Sequence, residues 1–231
     1  MQNLPFNMPG RKTPLVTGST YHIFNRGVAK MPTFTDGSEY ERAIELVKYY
    51  RFENPPLKYS ILVSLPRFDQ NSIISSMKKN NQPLVRIISF VLMPNHFHFT
   101  LTQLVEGGIS KFMSNFTNSF TRYVNTKKKR PGPLFQGTFK SVLIDTEEQL
   151  LHLSRYQHLN PFTNGVVDSF DDLINYPYSS LPHYLGIEYD DFVDTSSVLS
   201  SFKKSNGYRK FIENQKNYQR KLARIKKIFL D

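Results

Sequence analysis

The run from Val85 to Thr102 constrains the fold most. Residues 85–92 and 99–102 are rich in β-branched and aromatic side chains, and Pro94-Asn95 interrupts them, which predicts two strands joined by a turn. Side chains on a strand alternate faces with period two, so His96 and His98 point one way while Phe97 and Phe99 point into a core. Two imidazoles facing one space make half of a divalent-metal site. A pair of surface histidines alternating with phenylalanine fits the same letters, so a second feature has to decide between the readings.

That feature is the segment Arg155-Tyr156-Gln157-His158-Leu159-Asn160-Pro161. Asp145 and Thr146, followed by Glu147 and Glu148, mark a helix start whose dipole is complemented, and Pro161 marks its expected end. Tyr156 and Asn160 are four apart and share a helix face, with His152 one turn earlier on the same side. A phenol and an amide oxygen are thus presented together. His158 falls on a different face and is expected to be structural; His152 is expected to pack or to stand behind the site rather than react. His22 and His183 have no partner legible in the sequence.

Five fragments in order carry a resemblance: Tyr21-His22-Ile23-Phe24-Asn25-Arg26-Gly27, Leu92 to His98, Leu134-Phe135-Gln136-Gly137-Thr138-Phe139-Lys140-Ser141, Arg155-Tyr156 through Asn160-Pro161, and Tyr176-Pro177-Tyr178-Ser179-Ser180. Together they resemble the HUH single-tyrosine transposases, and in detail the REP-associated tyrosine transposase branch, over roughly residues 17–185. There are two departures. Residues 51–83 read as an insertion, and Phe135 stands where a tryptophan is expected. The resemblance implies a ferredoxin-like sheet on which the tyrosine helix approaches the two histidines. It also implies a single-stranded DNA substrate with a hairpin, and it places Arg26, in the turn with Asn25, and Lys140 near that substrate. Arg155 and Gln136 fit either a DNA contact or a structural hydrogen bond.

Composition agrees with a phosphate-bearing partner. Thirty Lys and Arg against nineteen Asp and Glu give a net charge of +11, although a ribosomal or membrane-surface protein would share that balance. No cysteine is present, which removes disulfides and thiolate metal sites. No apolar run reaches the roughly 18 residues of a membrane span, and the proline-broken start is unlike a signal peptide. A soluble, cytoplasmic protein with no membrane partner is the expectation.

The length suits one well-cored domain plus an appendage. The expected division is a flexible arm at 1–16, a catalytic domain at 17–165 carrying the insertion 51–83, and a basic, mostly helical extension at 166–231. Thr20 to Asn25 alternates as a first strand. Ser38 with Glu41 three residues on predicts a capping box opening a helix to Tyr50. A second helix over 108–128 carries Ile109, Phe112, Met113, Phe116, Phe120, Tyr123 and Val124 on one stripe, read as core. Its end, Lys127-Lys128-Lys129-Arg130, fits a helix-dipole cap or a phosphate contact equally. A fourth strand over 139–145 completes the order βαββαβ. The fold class is therefore α+β, a ferredoxin-like antiparallel sheet with helices on one face. The insertion fits a strand, a helix or a lid. The basic residues of the last thirty, among them Lys203, Lys204, Arg209, Lys210, Lys216 and Arg220, fit an amphipathic helix for nucleic acid, a membrane surface or an acidic partner, and fit a solvated tail at least as well.

The chemistry follows from the groups. A tyrosine phenol has an ordinary pKa near ~10 and needs help to attack phosphorus at neutral pH. A divalent ion, Mg2+ or Mn2+, held by neutral His96 and His98 and the amide oxygen of Asn160 would leave positions open for a phosphate. Tyr156 would then cleave a DNA strand through a 5′-phosphotyrosine link and later rejoin it, acting as monomer or homodimer. Two other classes remain: a non-catalytic nucleic-acid-binding protein on the same fold, and a replication initiator or relaxase-like nicking enzyme.

Overall fold

A computed structural model describes residues 14–80, 82–202 and 206–215; most of the expected N-terminal arm and the basic tail from 216 onward lie outside these residues. The chain runs β1 (Thr20–Arg26), a tight turn (Val28–Lys30), α1 (Gly37–Tyr50), α2 (Tyr59–Leu62), α3 (Arg67–Asn80), β2 (Val85–Met93) and β3 (His96–Gln103). It continues through α4 (Gly108–Lys127), β4 (Lys140–Ile144), α5 (Glu147–Thr163), α6 (Phe170–Ile174), α7 (Leu181–Tyr184), α8 (Ser196–Leu199) and α9 (Gly207–Glu213). The four strands form one antiparallel sheet in the order β2-β3-β1-β4, the ferredoxin-like arrangement. Among the described residues no helix is long and apolar enough to cross a membrane.

Alternation along β3 divides the molecule into two sides. Phe97, Phe99 and Leu101 are fully buried in one cluster with Tyr21 and Ile23 of β1, Ala43, Leu46 and Val47 of α1, and the phenylalanine stripe of α4. Phe116 shows the packing: its ring lies 5.5 Å from Phe97 and 5.6 Å from Phe99, both edge-on, the geometry that the aromatic quadrupole favours. Phe135 fills the position expected to hold a tryptophan, buried edge-on to Phe97 at 5.3 Å.

A bulge in β2 assigns its two faces. Ile87 sits opposite Leu101 but Ser89 sits opposite Thr100, leaving Ile88 as the extra residue. The parity of the strand shifts there. Phe90 and Leu92 consequently join the α1 and α4 core, Val91 and Met93 turn to the histidine side, and Ile88 enters a second apolar cluster.

That second cluster is built by α5 and the extension: Leu159, Phe162, Leu173, Leu181, Tyr184, Val198, Tyr208 and Ile212. A buried polar chain threads it. The Tyr208 hydroxyl bonds Ser154 Oγ at 3.0 Å and His158 Nδ1 at 2.6 Å; His158 Nε2 reaches Ser180 Oγ at 2.7 Å, which accepts from Phe90 N of β2 at 2.9 Å. His158 is therefore structural, as expected. Residues 178–180 also bond the open edge of β2, through Leu92 N to Tyr178 O at 2.8 Å and Ser180 N to Phe90 O at 2.9 Å, so the extension covers an edge that would otherwise be unpaired.

Two helix ends differ from the sequence expectation. Helix α1 is capped by Asp36, whose side chain accepts from Glu39 N, and Ser38 lies inside the helix with its hydroxyl donating to Asp36 Oδ1. A carboxylate two residues upstream outcompetes the hydroxyl for the free N–H groups and complements the dipole. Helix α5 runs past Pro161 to Thr163, because Asn164 closes it by donating N–H and Nδ2 to the Asn160 carbonyl at 3.1 and 3.0 Å. The insertion resolves as helices α2 and α3, with Tyr59, Leu62 and Met77 joining the main core beside α1.

The α1 end also carries an acid-sensitive pair of contacts. Lys127 Nζ donates to Asp36 Oδ2 at 2.6 Å and, with Ser38, holds that carboxyl down at about 2. Burial pushes the fully buried Glu39 up, but Lys128 Nζ at 2.8 Å and the Thr35 N–H and hydroxyl outweigh it and leave it below the ordinary glutamate value. Both folded values lie below the unfolded ones, so their stabilisation is full above about pH 4.3 and is lost as pH falls through the folded values. Urea unfolding at pH 7 and pH 3 should show wild type losing stability in acid, with Glu39→Gln less stable at pH 7 and less sensitive to the change. An equal acid loss in both proteins would contradict this.

Candidate functional site

On the face opposite the phenylalanine core, α5 and the sheet enclose a cavity of about 380 Å³. Strand β3 contributes His96 and His98, β1 contributes Phe24, Asn25 and Arg26, and β4 contributes Lys140. Helix α5 contributes Tyr156 and Asn160, and Gln136 and Asn164 complete the lining. The register explains the convergence, since Arg26 pairs with His96, Phe24 with His98 and Lys140 with Phe24, which puts all five on one face.

Each histidine is held from behind. His96 Nδ1 lies 2.6 Å from Asn95 Oδ1, and Asn95 Nδ2 donates to the Lys30 carbonyl at 3.2 Å. That second bond orients the amide, so Asn95 presents an acceptor, His96 carries its proton on Nδ1, and His96 Nε2 is left with a lone pair. The turn supplying the carbonyl is strained, with Ala29 and Lys30 at φ of 53° and 61°. Gly27 at its start donates N–H to Asn95 O at 2.8 Å, and an added Cβ there would meet Met31 O at 2.2 Å. His98 Nδ1 lies 2.9 Å from His22 Nε2, the partner that the sequence did not reveal.

Burial pushes the imidazoles toward the neutral form. It lowers His22 to about 4, lowers His96 to about 4 with help from the Arg26 charge, and holds His98 well below the ordinary histidine value with added effects from His96, His22 and Arg26. At neutral pH these rings offer lone pairs rather than protons. His98 Nε2 is buried and has no hydrogen-bond partner among the described residues. Asn160, only 1% exposed, accepts from Asn164 Nδ2 at 2.6 Å through Oδ1, while its Nδ2 has no partner among the described residues. With one hydrogen bond accepted, the Asn160 oxygen keeps a second lone pair. Among the described residues no group of three His, Cys, Asp or Glu side chains is placed to hold a metal ion. The cavity thus presents two neutral imidazoles and a carboxamide, nitrogen and oxygen groups side by side.

Tyr156 opens onto the cavity. Its side chain is 47% exposed, and its ring stands edge-on to His98 with centroids 5.8 Å apart. The next residue explains the aim. Gln157 is fully buried, and its Oε1 accepts from Ser89 Oγ of β2 at 2.5 Å and from Thr100 Oγ1 of β3 at 3.2 Å. Pinning that side chain to the sheet fixes the rotation of α5 about its axis, which delivers Tyr156 and, one turn on, Asn160 to the cavity.

The residues expected at DNA divide into two groups. Arg26 and Lys140 are exposed beside the cavity. Asn25 also lines it, with its side chain committed to Gly137 O at 3.2 Å and Arg26 N at 2.8 Å, so that it fastens the 134–137 segment to β1. Arg155 does not line the cavity; it stacks over Phe211 at 4.2 Å and meets His152 Nδ1 at 2.7 Å. The run at the end of α4 is also elsewhere. Lys127 and Lys128 pair with Asp36 and Glu39, Arg130 bonds Asn125 Oδ1 at 3.1 Å, and Lys129 is exposed. Asn164, Gln157, His22 and Asn95 belong to the site or its support without having been expected there. Gln157 and Asn164 sit beside and one turn beyond the expected pair, the spacing at which a helical reading could have found them.

Replacing Gln157 with leucine keeps the volume but strands the Ser89 and Thr100 hydroxyls. A loss of about 1–3 kcal/mol in urea unfolding is expected, with the Tyr156 ring signals shifted in NMR spectra. Unchanged stability and an unmoved ring would show that α5 is held by its apolar face alone.

No protein-family model matches the sequence, and no curated protein matches it. Among solved structures the chain is similar to a REP-associated tyrosine transposase bound to a REP hairpin, with a TM-score of 0.52 and 16% identity over 82% of this chain and 96% of that one. At this identity the likeness is one of fold: a four-stranded antiparallel sheet with helices, matched across nearly the whole of the other chain.

Proposed function

We propose that this protein is a metal-dependent single-stranded DNA strand transferase of the tyrosine transposase type, cutting and rejoining strands at hairpin-flanked sites. The observation that carries the reading is the Tyr156 phenol set edge-on to His98 in a cavity also lined by His96 and Asn160. A non-catalytic nucleic-acid-binding protein would have no use for an exposed phenol beside two neutral imidazoles and a buried carboxamide. The fold likeness to a transposase whose structure holds a REP hairpin supports hairpin DNA as the substrate class.

The chain's own groups divide the work. His96, His98 and Asn160 would hold a divalent cation, Mg2+ or Mn2+, which when bound would supply Lewis acidity at the phosphate oxygens. Arg26 and Lys140 bring positive charge to the rim for the DNA backbone. The Tyr156 oxygen gives up its proton and attacks phosphorus, the bond to the 3′ oxygen breaks, and that oxygen takes up a proton from solvent and leaves as the 3′-hydroxyl. The DNA stays joined to Tyr156 through its 5′ phosphate. The reverse step, with a 3′-hydroxyl as attacker, rejoins strands without ATP, because the phosphodiester energy is kept in the covalent link. The extension holds α5 against its own sheet, so one chain carries the whole constellation and a monomer suffices.

Incubating the protein with labelled hairpin oligonucleotides and Mn2+ should yield a covalent protein-DNA adduct on a denaturing gel. Tyr156→Phe should reduce it by more than about 10³-fold while leaving hairpin binding in place. His96→Ala, His98→Ala and excess chelator should each remove it as well. An adduct that survives in Tyr156→Phe, or cleavage indifferent to chelator, would overturn the assignment; binding without any adduct in wild type would favour the non-catalytic reading.

A further inference from the structure

Resting on the reading of the cavity as a divalent-cation site, we propose that His22 is a positioning residue. Its Nε2 accepts the Nδ1–H of His98 and so fixes the tautomer in which His98 Nε2 keeps its lone pair for a cation. The two nitrogens are 2.9 Å apart, and the rings lie 5.0 Å apart and within 24° of parallel. Phe24 stacks on His22 at 4.8 Å, which steadies the His22 ring.

The assignment follows from where a proton has an acceptor. A neutral imidazole carries one N–H. On His98 Nε2 that proton would be buried with no acceptor among the described residues, a state that folded chains avoid. On Nδ1 it meets His22. Asn95 does the same for His96 from the turn, with its own amide oriented by the Lys30 carbonyl. The two imidazoles are thus set by different elements: His96 by the β2–β3 turn, His98 by the neighbouring strand β1. Such partners behind a metal-binding histidine set ring orientation and basicity, and losing one commonly costs about 10–100-fold in metal affinity.

The test uses the full chain, metal-free and labelled with 15N. Ring 15N shifts of His98, assigned by comparison with His98→Gln, should show Nδ1 protonated and Nε2 bare. In His22→Phe, which keeps ring volume and stacking but loses the acceptor, the His98 proton should move to Nε2 in part or wholly. Mn2+ affinity, read by electron paramagnetic resonance, should fall about 10–100-fold. His22→Gln, which restores an acceptor oxygen, should recover most of that loss. The proposal is overturned if wild-type His98 is protonated on Nε2, if His22→Phe leaves the tautomer unchanged, or if the tautomer moves without any change in Mn2+ affinity. Should wild type fail to bind Mn2+ at all, the cation reading falls, and the tautomer comparison still decides what His22 does to His98.

Discussion

The site depends on how α5 is docked. Gln157 reaches from the helix into the sheet and bridges two strands through Ser89 and Thr100, while His158 beside it ties the helix to α7 and α9 through Ser180 and Tyr208. Adjacent residues on a helix diverge by roughly 100°, so pinning these two leaves Tyr156 little freedom of direction. Its phenol stands against His98 because its neighbours are spoken for. An unanchored α5 would let the tyrosine wander over an exposed surface, and the proposed attack on phosphorus would lose its geometric advantage.

The sheet completes the arrangement by keeping two unlike environments a strand's thickness apart. One face is phenylalanine, packed edge to ring against α1 and α4, and requires nothing polar. The other carries three imidazoles, an arginine and a lysine in register, and would be costly in a dry core. The bulge at Ile88 reconciles them. It lets β2 give Ile87 and Phe90 to the aromatic side, Ser89 to the Gln157 contact and Ile88 to the cluster that anchors α5.

Much of this was legible in the sequence, and the missing parts share a cause. The alternation around His96 and His98, the stripe on α4 and the four-residue spacing of Tyr156 and Asn160 are local periodicities, and each reappears in the structure. The hydrogen bond between His22 and His98 joins residues far apart in sequence and depends on strand register, which periodicity does not encode. Gln157 reads as one more polar residue on a helix until the two hydroxyls opposite it are known. The cations at 127 and 128 lie open to either reading in the sequence, yet Asp36 and Glu39 at the far helix end claim them. The misplaced cap at Ser38 and the early stop at Pro161 are boundary errors: a stronger capping group lay two residues upstream, and a proline near a helix end removes one hydrogen bond without ending the last turn.

In the free protein the Tyr156 phenol rests edge-on against the His98 imidazole. Proton–proton Overhauser spectra of metal-free wild type, with the tyrosine ring assigned by its loss in Tyr156→Phe, test it most directly. Cross-peaks between the Tyr156 ring and His98 ring protons are expected. A tyrosine ring that shows contacts to its own helix and to solvent but none to His98 would contradict it.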